Sequence, residues 1–321
     1  MDAYQTRASN QNLRARASLL GLLRSFFECR QFVEVQTPVL SRNTIVDRHL
    51  DPIELSMRLP GEPASNWFLQ TSPEQAMKRL LSSGIGSIYQ VGPVFRAGEK
   101  GRIHNPEFTM AEWYDVGAGL EDGIMLLDEL LETLLGTQTC DRITFQDAFQ
   151  KATGLELFES KEADLGRWAV DQNLVADSSW TDDWDDWIDL IFSERVQSTL
   201  GKERPIVVTH FPASQAALAR VTPADPRTAE RFEAFFQGVE LANGYHELLD
   251  ADQVQSRSHR ANLQRELDGK KSLPVQNLLL DAMRAGIPSC CGCALGFDRV
   301  VMLACGATSL EQVISFTVDN A

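Results

Sequence analysis

Residues 94–115 read VFRAGEKGRIHNPEFTMAEWYD, and this stretch decides the predicted fold. An apolar run ends at Arg96, a polar loop with two glycines follows, and residues 108–115 then alternate strictly. The alternation predicts one face made of Phe108, Met110, Glu112 and Tyr114, and a second face made of Thr109, Ala111, Trp113 and Asp115. Period two is typical of a strand, and a glycine-containing polar loop between two strands predicts a long hairpin.

The loop of this hairpin is rich in groups that bind phosphate. Its charged residues are Arg96, Glu99, Lys100, Arg102 and His104. A guanidinium group pairs bidentately with phosphate oxygens, so arginines at a strand end and in a loop suit a polyphosphate ligand. The alternative is a solvated surface hairpin with a charged loop, because such loops are common.

The composition is that of a globular protein. Of 321 residues, 43% are apolar and 23% are charged, and the net charge of −15 argues against broad nucleic-acid binding, which usually needs a basic face. The sequence lacks a run of eighteen apolar residues, and the start MDAYQ lacks the basic and then apolar pattern of a signal peptide. We therefore expect a cytoplasmic protein without a membrane segment. Apolar neighbours of the cysteines at 290, 291 and 293 favour small buried thiols over the alternative, a zinc site.

The first part of the chain predicts a helix over 13–30 and a strand over 32–40, with Pro38 near the strand's end. Residues 41–66 predict loops and short strands. After a short strand at 67–70, Ser72 is the predicted N-cap of a helix that runs to about Ser82, with Pro73 at its first position and Glu74 in its first turn. An acidic residue there also complements the helix dipole without any other role.

The middle of the chain predicts an amphipathic helix at 120–135 and a helical insertion at 137–204, both inside one catalytic domain that spans 1–321. The most distinctive piece of the insertion is a Trp- and Asp-rich helix at 180–191. Its apolar residues predict a core-facing stripe with solvated acids, and an aromatic docking surface is the alternative.

The last part predicts a buried strand at 205–211 and a second strand from Arg231 that ends in a glycine turn carrying Glu240, Asn243 and Glu247. Carboxylates clustered at a strand end suit a divalent cation or a cationic amine, and a plain polar turn is the alternative. Helices are predicted at 251–268 and 276–284, and a final strand leads through Gly296 into a helix. The predicted class is α+β, with a mostly antiparallel sheet flanked by helices.

Three stretches resemble, in the expected order, the signature motifs of the class II aminoacyl-tRNA synthetases, in particular their lysyl branch. The first helix, the first strand and Pro38 resemble motif 1, which forms the dimer interface of that family. The short sequences FR…E, HNPEF and EWY within 94–115 resemble motif 2, and GFDR at 296–299 resembles motif 3. The resemblance covers nearly the whole chain and implies the class II catalytic fold and a homodimer.

This resemblance implies ATP as co-substrate, with Mg²⁺. The implied nucleotide-binding residues are Arg96, Ala97, Gly98, Glu99, His104, Asn105, Phe108, Glu240, Leu241, Gly296 and Arg299. Arg96 and Arg299 are the implied catalytic residues, and Glu240 and Glu247 are the implied magnesium ligands. Gly98 stands where the family has a glutamate that reads adenine, and Glu99 follows it.

The resemblance also implies a lysine site. Its implied residues are Ser72, Pro73, Glu74, Tyr114 and Glu247. Glu74 corresponds to the residue that holds the α-amino group, whereas Glu247 and Tyr114 correspond to the contacts of the side-chain ammonium, which is costly to bury unpaired. Ala294 stands where many lysyl enzymes have glycine, and the added methyl group is expected to change which lysine isomer fits.

The acceptor of the lysyl group is a separate question. Lysyl-tRNA synthetases carry an N-terminal anticodon-binding barrel, and residues 1–12 are too few to form one before the first predicted helix, so we do not expect tRNA as a partner. The chain resembles instead the truncated paralogues that join lysine, preferably (R)-β-lysine, to a lysine of bacterial translation elongation factor P. The predicted activity is therefore that of an AMP-forming ligase. A minimal lysyl-tRNA synthetase and a catalytically silent binding protein are the alternatives.

Overall fold

The structure, a computed structural model, describes residues 4–321. Its α-helices are α1 (Asn10–Glu28), α2 (Glu74–Leu81), α3 (Leu120–Leu135), α4 (Phe145–Thr153), α5 (Glu162–Asp171), α6 (Trp184–Ile191), α7 (Ala251–Leu267), α8 (Leu278–Ala285) and α9 (Phe297–Ala304). Its strands are β1 (Val33–Glu34), β2 (Leu40–Ser41), β3 (Ile53–Met57), β4 (Ser65–Leu69), β5 (Ile88–Phe95), β6 (Glu107–Val116), β7 (Asp141–Thr144), β8 (Ile206–Pro212), β9 (Thr228–Phe236), β10 (Val239–His246) and β11 (Cys290–Gly296). Among residues 4–321, none of the helices is both long and apolar enough to cross a lipid bilayer.

The chain forms two compact units. The first unit comprises residues up to 119, residues 133–135 and residues 248–321, and the second comprises residues 120–132 and 136–247. In the first unit, β1 pairs in parallel with β5, whereas β5 with β6 and β6 with β11 are antiparallel, and β2, β4 and β3 form a separate antiparallel sheet. In the second unit, β10, β9 and β8 are antiparallel and β7 pairs in parallel with β8. These largely antiparallel sheets with their helices confirm the predicted α+β class.

The predicted hairpin is present as β5 and β6. Their register runs from the pair Phe95–Glu107 next to the loop to the pair Ile88–Tyr114 at the far end. Helix α1 packs on one face of this hairpin, where the Phe27 ring stacks 4.7 Å from the Tyr89 ring and lies 5.3 Å from the Trp113 ring. The opposite face of β6, which carries Glu112 and Tyr114, is thereby left for the site described below.

Most predicted elements lie within about two residues of their observed bounds, as expected where helix ends fray. The predicted helices 120–135, 251–268 and 276–284 correspond to α3, α7 and α8, and the predicted strand 205–211 corresponds to β8. The helix predicted at 13–30 begins earlier, because Ser9 is an N-cap whose side chain accepts a hydrogen bond from the amide of Asn12.

The strand predicted over 32–40 was wrong in its length. Only Val33 and Glu34 join the sheet as β1. Beyond them the amide of Val35 donates to the carbonyl of Tyr89, but the amide of Thr37 donates to the side chain of Gln90, and Pro38 has no amide hydrogen to continue a ladder. The alternating sequence pattern therefore continues beyond the residue at which the backbone leaves the sheet, and the predicted strand was too long.

The predictions for the insertion also needed correction. The segment 137–204 contains β7 in addition to helices, and the helix predicted at 180–191 begins only at Trp184, after the N-cap Asp183. Trp187 is buried among the core of the second unit, as predicted for a core-facing stripe, whereas Trp180 precedes the helix, is half exposed and packs edge-on against Trp187.

The glycine turn predicted around Glu240–Glu247 was wrong. Residues 239–246 form β10, and the actual turn is Gln237–Gly238, where both residues have positive φ (52° and 74°) as a tight hairpin turn requires. Gly244 lies within the strand directly opposite Phe232 of β9. A Cβ atom at this position would lie 2.2 Å from the Phe232 ring, so the glycine is needed for close packing rather than for a turn.

This packing predicts the effect of Gly244→Ala. The added methyl group must displace the Phe232 ring, which is fully buried, so we expect a loss of about 1–3 kcal/mol in the free energy of unfolding. Urea denaturation of purified protein measures it. The matched control is Gly21→Ala on α1, where the added methyl has no atom within 4 Å apart from its chain neighbours and the backbone of its own helix, and alanine favours the helix. A Gly244→Ala protein as stable as this control would contradict the packing argument.

Candidate active site

A buried carboxylate, Glu112, lies at the centre of a polar cluster on β6. Ser72 Oγ donates a hydrogen bond to Glu112 Oε2 (2.7 Å), and the Tyr114 hydroxyl donates one to Glu112 Oε1 (2.6 Å). Glu112 is only 2% exposed. Burial, together with the nearby negative charge of Glu74, raises the pKa of Glu112 to about 7. A carboxylate held in this way is suited to pair with a cationic group that enters from outside.

Glu112 was missed as a site residue in the sequence analysis. It was recognised only as one member of the alternating strand, and the resemblance did not assign it a role. The available signal was a charged residue between Met110 and Tyr114 on an otherwise apolar face, because charged residues are almost never fully buried unless paired. Its strand neighbour on β11 is Ala294, whose Cα lies directly opposite that of Glu112, so the Ala294 methyl group is on the same face.

The beginning of α2 brings a second carboxylate to the same cluster. Ser72 Oγ accepts a hydrogen bond from the amide of Glu74 (3.0 Å). The N-cap of α2 is Pro73, one residue later than the predicted N-cap Ser72, so Pro73 precedes the first helical position instead of occupying it. Glu74 is 8% exposed, and its Oε1 lies 2.5 Å from the ammonium of Lys78 one turn later. Ser72, Pro73, Glu74 and Tyr114, four of the predicted lysine-site residues, are therefore neighbours of Glu112.

The end of the hairpin gathers the predicted nucleotide residues of motif 2. Arg96 Nη1 lies 3.6 Å from Glu99 Oε1, and the Arg96 guanidinium lies 5.1 Å from the centre of the Phe108 ring. Gly98 has φ +79°, a left-handed conformation that favours glycine, and it lies in the exposed loop next to Ala97. An arginine beside an aromatic ring at a strand end can pair with a phosphate while the ring stacks on a base.

The second half of the loop meets the predicted motif 3 arginine. Arg299 Nη2 lies 2.8 Å from His104 Nε2, and Arg299 Nε donates to the carbonyl of Ile103 (3.3 Å). Asn105 is buried, donates from Nδ2 to the carbonyl of Glu107 (2.6 Å) and accepts from the amide of Val318 (3.0 Å). The side chain of Asn105 thus shapes the loop in this structure.

The helix that carries Arg299 is fixed to α1 by a partly buried ion pair and to the hairpin by a hydrogen bond. Asp298 follows Gly296 by two residues, pairs with Arg16 of α1 (2.5 Å) and accepts a hydrogen bond from the amide of Thr109 on β6 (2.9 Å). Arg16 also donates to the Thr109 hydroxyl (2.7 Å). Two elements, α1 and β6, therefore hold the first turn of α9 in place.

The remaining predicted residues lie on β10 in the second unit. Glu240 is partly exposed, Leu241 is 2% exposed, and Glu247, directly after the strand, is 3% exposed. The buried carboxylate of Glu233 on β9 is paired with Arg231. Burial raises the pKa of Glu233 to about 7, with the charge of Glu240 acting in the same direction against the attraction of Arg231. This strand pair therefore carries two interacting carboxylates, Glu233 and Glu240, with Arg231 as the counter-charge of Glu233.

Comparison with known proteins places the chain in a family. A sequence model described as tRNA synthetases class II (D, K and N) matches residues 1–320. The chain belongs to this family. Among similar curated proteins, one from Salmonella arizonae and one from Klebsiella pneumoniae are each named elongation factor P--(R)-beta-lysine ligase. Each is 43% identical to the chain, over 99% of the chain and 98% of the relative. The class II catalytic fold and the use of ATP follow from the family.

The raised pKa of Glu112 predicts how stability depends on pH. The folded protein keeps this proton up to about pH 7, whereas the unfolded chain loses it near the ordinary value of 4.5. The unfolded chain therefore binds fewer protons in this range, and the free energy of unfolding falls as pH rises from about 4.5 to 7, by roughly 1–3 kcal/mol for this group.

Glu112→Gln removes this contribution. Urea denaturation at pH 5 and pH 7.5 is expected to show a smaller decrease in the variant than in the wild type. The matched control is Glu107→Gln, an exposed glutamate on the same strand, which should keep the wild-type decrease. An equal decrease in all three proteins would show that Glu112 does not hold a proton in the folded state at pH 5–7.

Proposed function

We propose that the chain activates lysine with ATP as an aminoacyl adenylate and transfers the lysyl group to a lysine side chain of translation elongation factor P. The observation that carries this proposal is the buried Glu112, held by Ser72 and Tyr114 beside Glu74, because this cluster suits a diamine substrate. The names of the 43%-identical relatives supply the acceptor and (R)-β-lysine as the preferred isomer.

The reaction needs positioned charges and no protein nucleophile. An oxygen of the lysine carboxylate attacks the α-phosphorus of ATP, the bond to the β-phosphate oxygen breaks, and pyrophosphate leaves. The amino nitrogen of the acceptor lysine then attacks the carbonyl carbon, an amide forms, AMP leaves with the electron pair of the broken C–O bond, and the amine releases a proton. Arg96, His104 and Arg299 stabilise the charge that develops on the phosphates.

In this proposal, each of the two amino groups of the substrate binds to a different carboxylate. Glu112 and the Tyr114 hydroxyl bind the side-chain ammonium, with Glu247 as the further predicted contact. Glu74 binds the amino group near the carboxylate, next to Ser72 and Pro73. Each ammonium is then paired, which offsets the cost of taking it out of water.

The nucleotide site is proposed at the hairpin end. Phe108 stacks on adenine, Arg96 binds the α-phosphate and the lysine carboxylate, and His104 with Arg299 binds the outer phosphates. Backbone groups of Ala97, Gly98, Asn105, Leu241 and Gly296, with the side chain of Glu99, complete the proposed set of contacts. Leu241 is buried, so its contact is through the backbone.

Magnesium is proposed to bind at Glu240, with Glu247 as the second predicted ligand. The Oδ1 atom of Asn243, also on β10, is buried and accepts no hydrogen bond from the residues that the structure describes, so an unused oxygen lies on the same strand. Carboxylate and amide oxygens suit this cation, which usually takes one or two carboxylates together with phosphates. Such a site needs no cluster of three acidic side chains, and residues 4–321 contain none of that kind. When bound, the cation neutralises charge on the outgoing pyrophosphate.

We further propose a homodimer that acts in the cytoplasm, where ATP and the translation factor are present. The elements that resemble motif 1 carry large apolar side chains on the surface of the protomer, with Leu22 of α1 46% and Val33 of β1 44% exposed. Large apolar residues exposed on one protomer favour burial against a second copy.

The proposed function is tested by offering the purified protein ATP, Mg²⁺ and either α-lysine or (R)-β-lysine, together with elongation factor P or tRNA. We expect lysine-dependent exchange of pyrophosphate into ATP and a mass increase of one lysyl group on elongation factor P, without charging of tRNA. Efficient charging of tRNA would favour a minimal lysyl-tRNA synthetase. Failure of every amino acid to support exchange would favour a catalytically silent binding protein.

Arg299→Ala tests the nucleotide site within this assay. The variant loses a guanidinium that lies against the His104 loop but is not part of the Arg16–Asp298 pair, so it should stay folded. We expect exchange to fall by about a hundredfold or more, as for loss of a charge-stabilising donor. Arg14→Ala, an exposed arginine on α1, is the control for loss of a surface charge. Exchange within about twofold of wild type in Arg299→Ala would contradict the assignment.

Ala294→Gly tests the choice of isomer. Removal of the methyl group opposite Glu112 enlarges the site by about the volume of one methylene group. A change of this size alters the discrimination between two similar substrates by roughly 10-fold or more. We expect the ratio of kcat/KM for (R)-β-lysine to that for α-lysine to fall, measured by pyrophosphate exchange. An unchanged ratio would show that this strand position does not contact the substrate.

A further inference from the structure

A buried ammonium group lies in the lysine site and has no role in the proposed reaction. Lys78 is 4% exposed, and its Nζ atom lies 2.5 Å from Glu74 Oε1 and 5.7 Å from the centre of the Tyr114 ring. Lysine is almost never this buried unless it is paired, and burial of the ammonium is costly even then. Packing alone does not need an amine at this position, because a methionine would fill the same space.

The environment of Glu74 shows what this amine does. The backbone of Glu74 is fixed from one side, since its amide donates to Ser72 Oγ, and Ser72 Oγ in turn donates to Glu112. Its carboxylate is fixed from the other side by Lys78, one helical turn further along α2, through Oε1. The orientation of the second oxygen, Oε2, follows from this contact because the two oxygens share one plane.

The apolar packing around this pair keeps it in one arrangement. Tyr114 belongs to a buried cluster with Met77 and Leu81 of α2, and Met77 is the residue directly before Lys78. The lysine stem therefore leaves the helix from a packed position, and its ammonium lies against the face of the phenol ring, which attracts a cation. A side chain held at both ends sets its partner's position accurately.

We propose that Lys78 is a positioning residue that binds Glu74 Oε1 so that Oε2 faces the substrate's amino group, and that it thereby selects the carbon that bears this amino group. This inference rests on the proposed function, in which Glu74 binds that amino group. α-Lysine and β-lysine differ by the distance between this amino group and the carboxylate, so a carboxylate oxygen held at one place favours one of them.

Lysine and arginine differ at such a site, and the difference makes the proposal testable. An ammonium is a point charge that can pair with one carboxylate oxygen, whereas a guanidinium fork matches both oxygens. Lys78→Arg keeps the charge but should occupy Oε2 as well. Lys78→Met keeps the apolar stem but releases both oxygens.

The experiment measures lysine-dependent pyrophosphate exchange for wild type, Lys78→Arg, Lys78→Met and the matched control Arg79→Met, an exposed cation on the same helix. We expect both Lys78 variants to raise the KM for lysine by about tenfold, as for loss of one charge-assisted contact, with the KM for ATP unchanged. We also expect the ratio of kcat/KM for the two isomers to move toward one. The control should match wild type in all three quantities.

The isomer ratio decides between positioning and plain charge balance. If Lys78 only neutralised buried charge, Lys78→Arg would keep wild-type constants and Lys78→Met would weaken both isomers alike, and that result would overturn the proposal. Thermal denaturation identifies a variant that does not fold, and the remaining variant then decides by its ratio. Absence of exchange in the wild type would instead contradict the proposed function itself, so the two failures are distinguishable.

Discussion

The backbone hydrogen bonds of β6 are the constraint on which the site in the first unit depends. This strand pairs with β5 on one side and β11 on the other, so Gln90, Glu112 and Ala294 lie in one row across the sheet. A slip by one residue would turn every side chain of β6 to the opposite face. Packing of Phe27 on Tyr89 and Trp113 opposes such a slip, because those rings belong to the face that α1 covers. The register of β6 therefore determines the position of the Glu112 carboxylate more than any single side chain does.

The buried charges of the site destabilise the folded state, and the rest of the unit must offset this cost in free energy. Two carboxylates, Glu74 and Glu112, are nearly excluded from water and repel each other, and a buried ammonium relieves only part of this cost. The surrounding core of aromatic and aliphatic side chains supplies the stability that makes such an arrangement tolerable. In the proposed function the same carboxylates are already in place for a cationic substrate, so little reorganisation is needed on binding.

Local sequence patterns predicted the long helices and strands well. The periodicity and the capping residues that determine these elements lie within the element itself. The hairpin and the helices α3, α7 and α8 are of this kind. The length of β1 was not readable, because a side chain 53 residues away, Gln90, takes the amide of Thr37. Gly244 was predicted as a turn residue because the group that requires a glycine there, the Phe232 ring, lies on another strand. Glu112 was missed for a related cause: its partner Ser72 is 40 residues distant.

The pKa of Glu112 near 7 has a consequence for the energetics of substrate binding. In a neutral solution part of the molecules carry a proton on this carboxyl group, and in the proposed binding mode an ammonium that pairs with it displaces that proton. With Glu112 as the proposed partner of the side-chain ammonium, lysine binding is coupled to proton release into the buffer. The heat measured by titration calorimetry then contains the protonation enthalpy of the buffer, and lysine affinity increases with pH through the neutral range. In the proposed binding mode, a modest change of pH around neutrality therefore changes substrate occupancy.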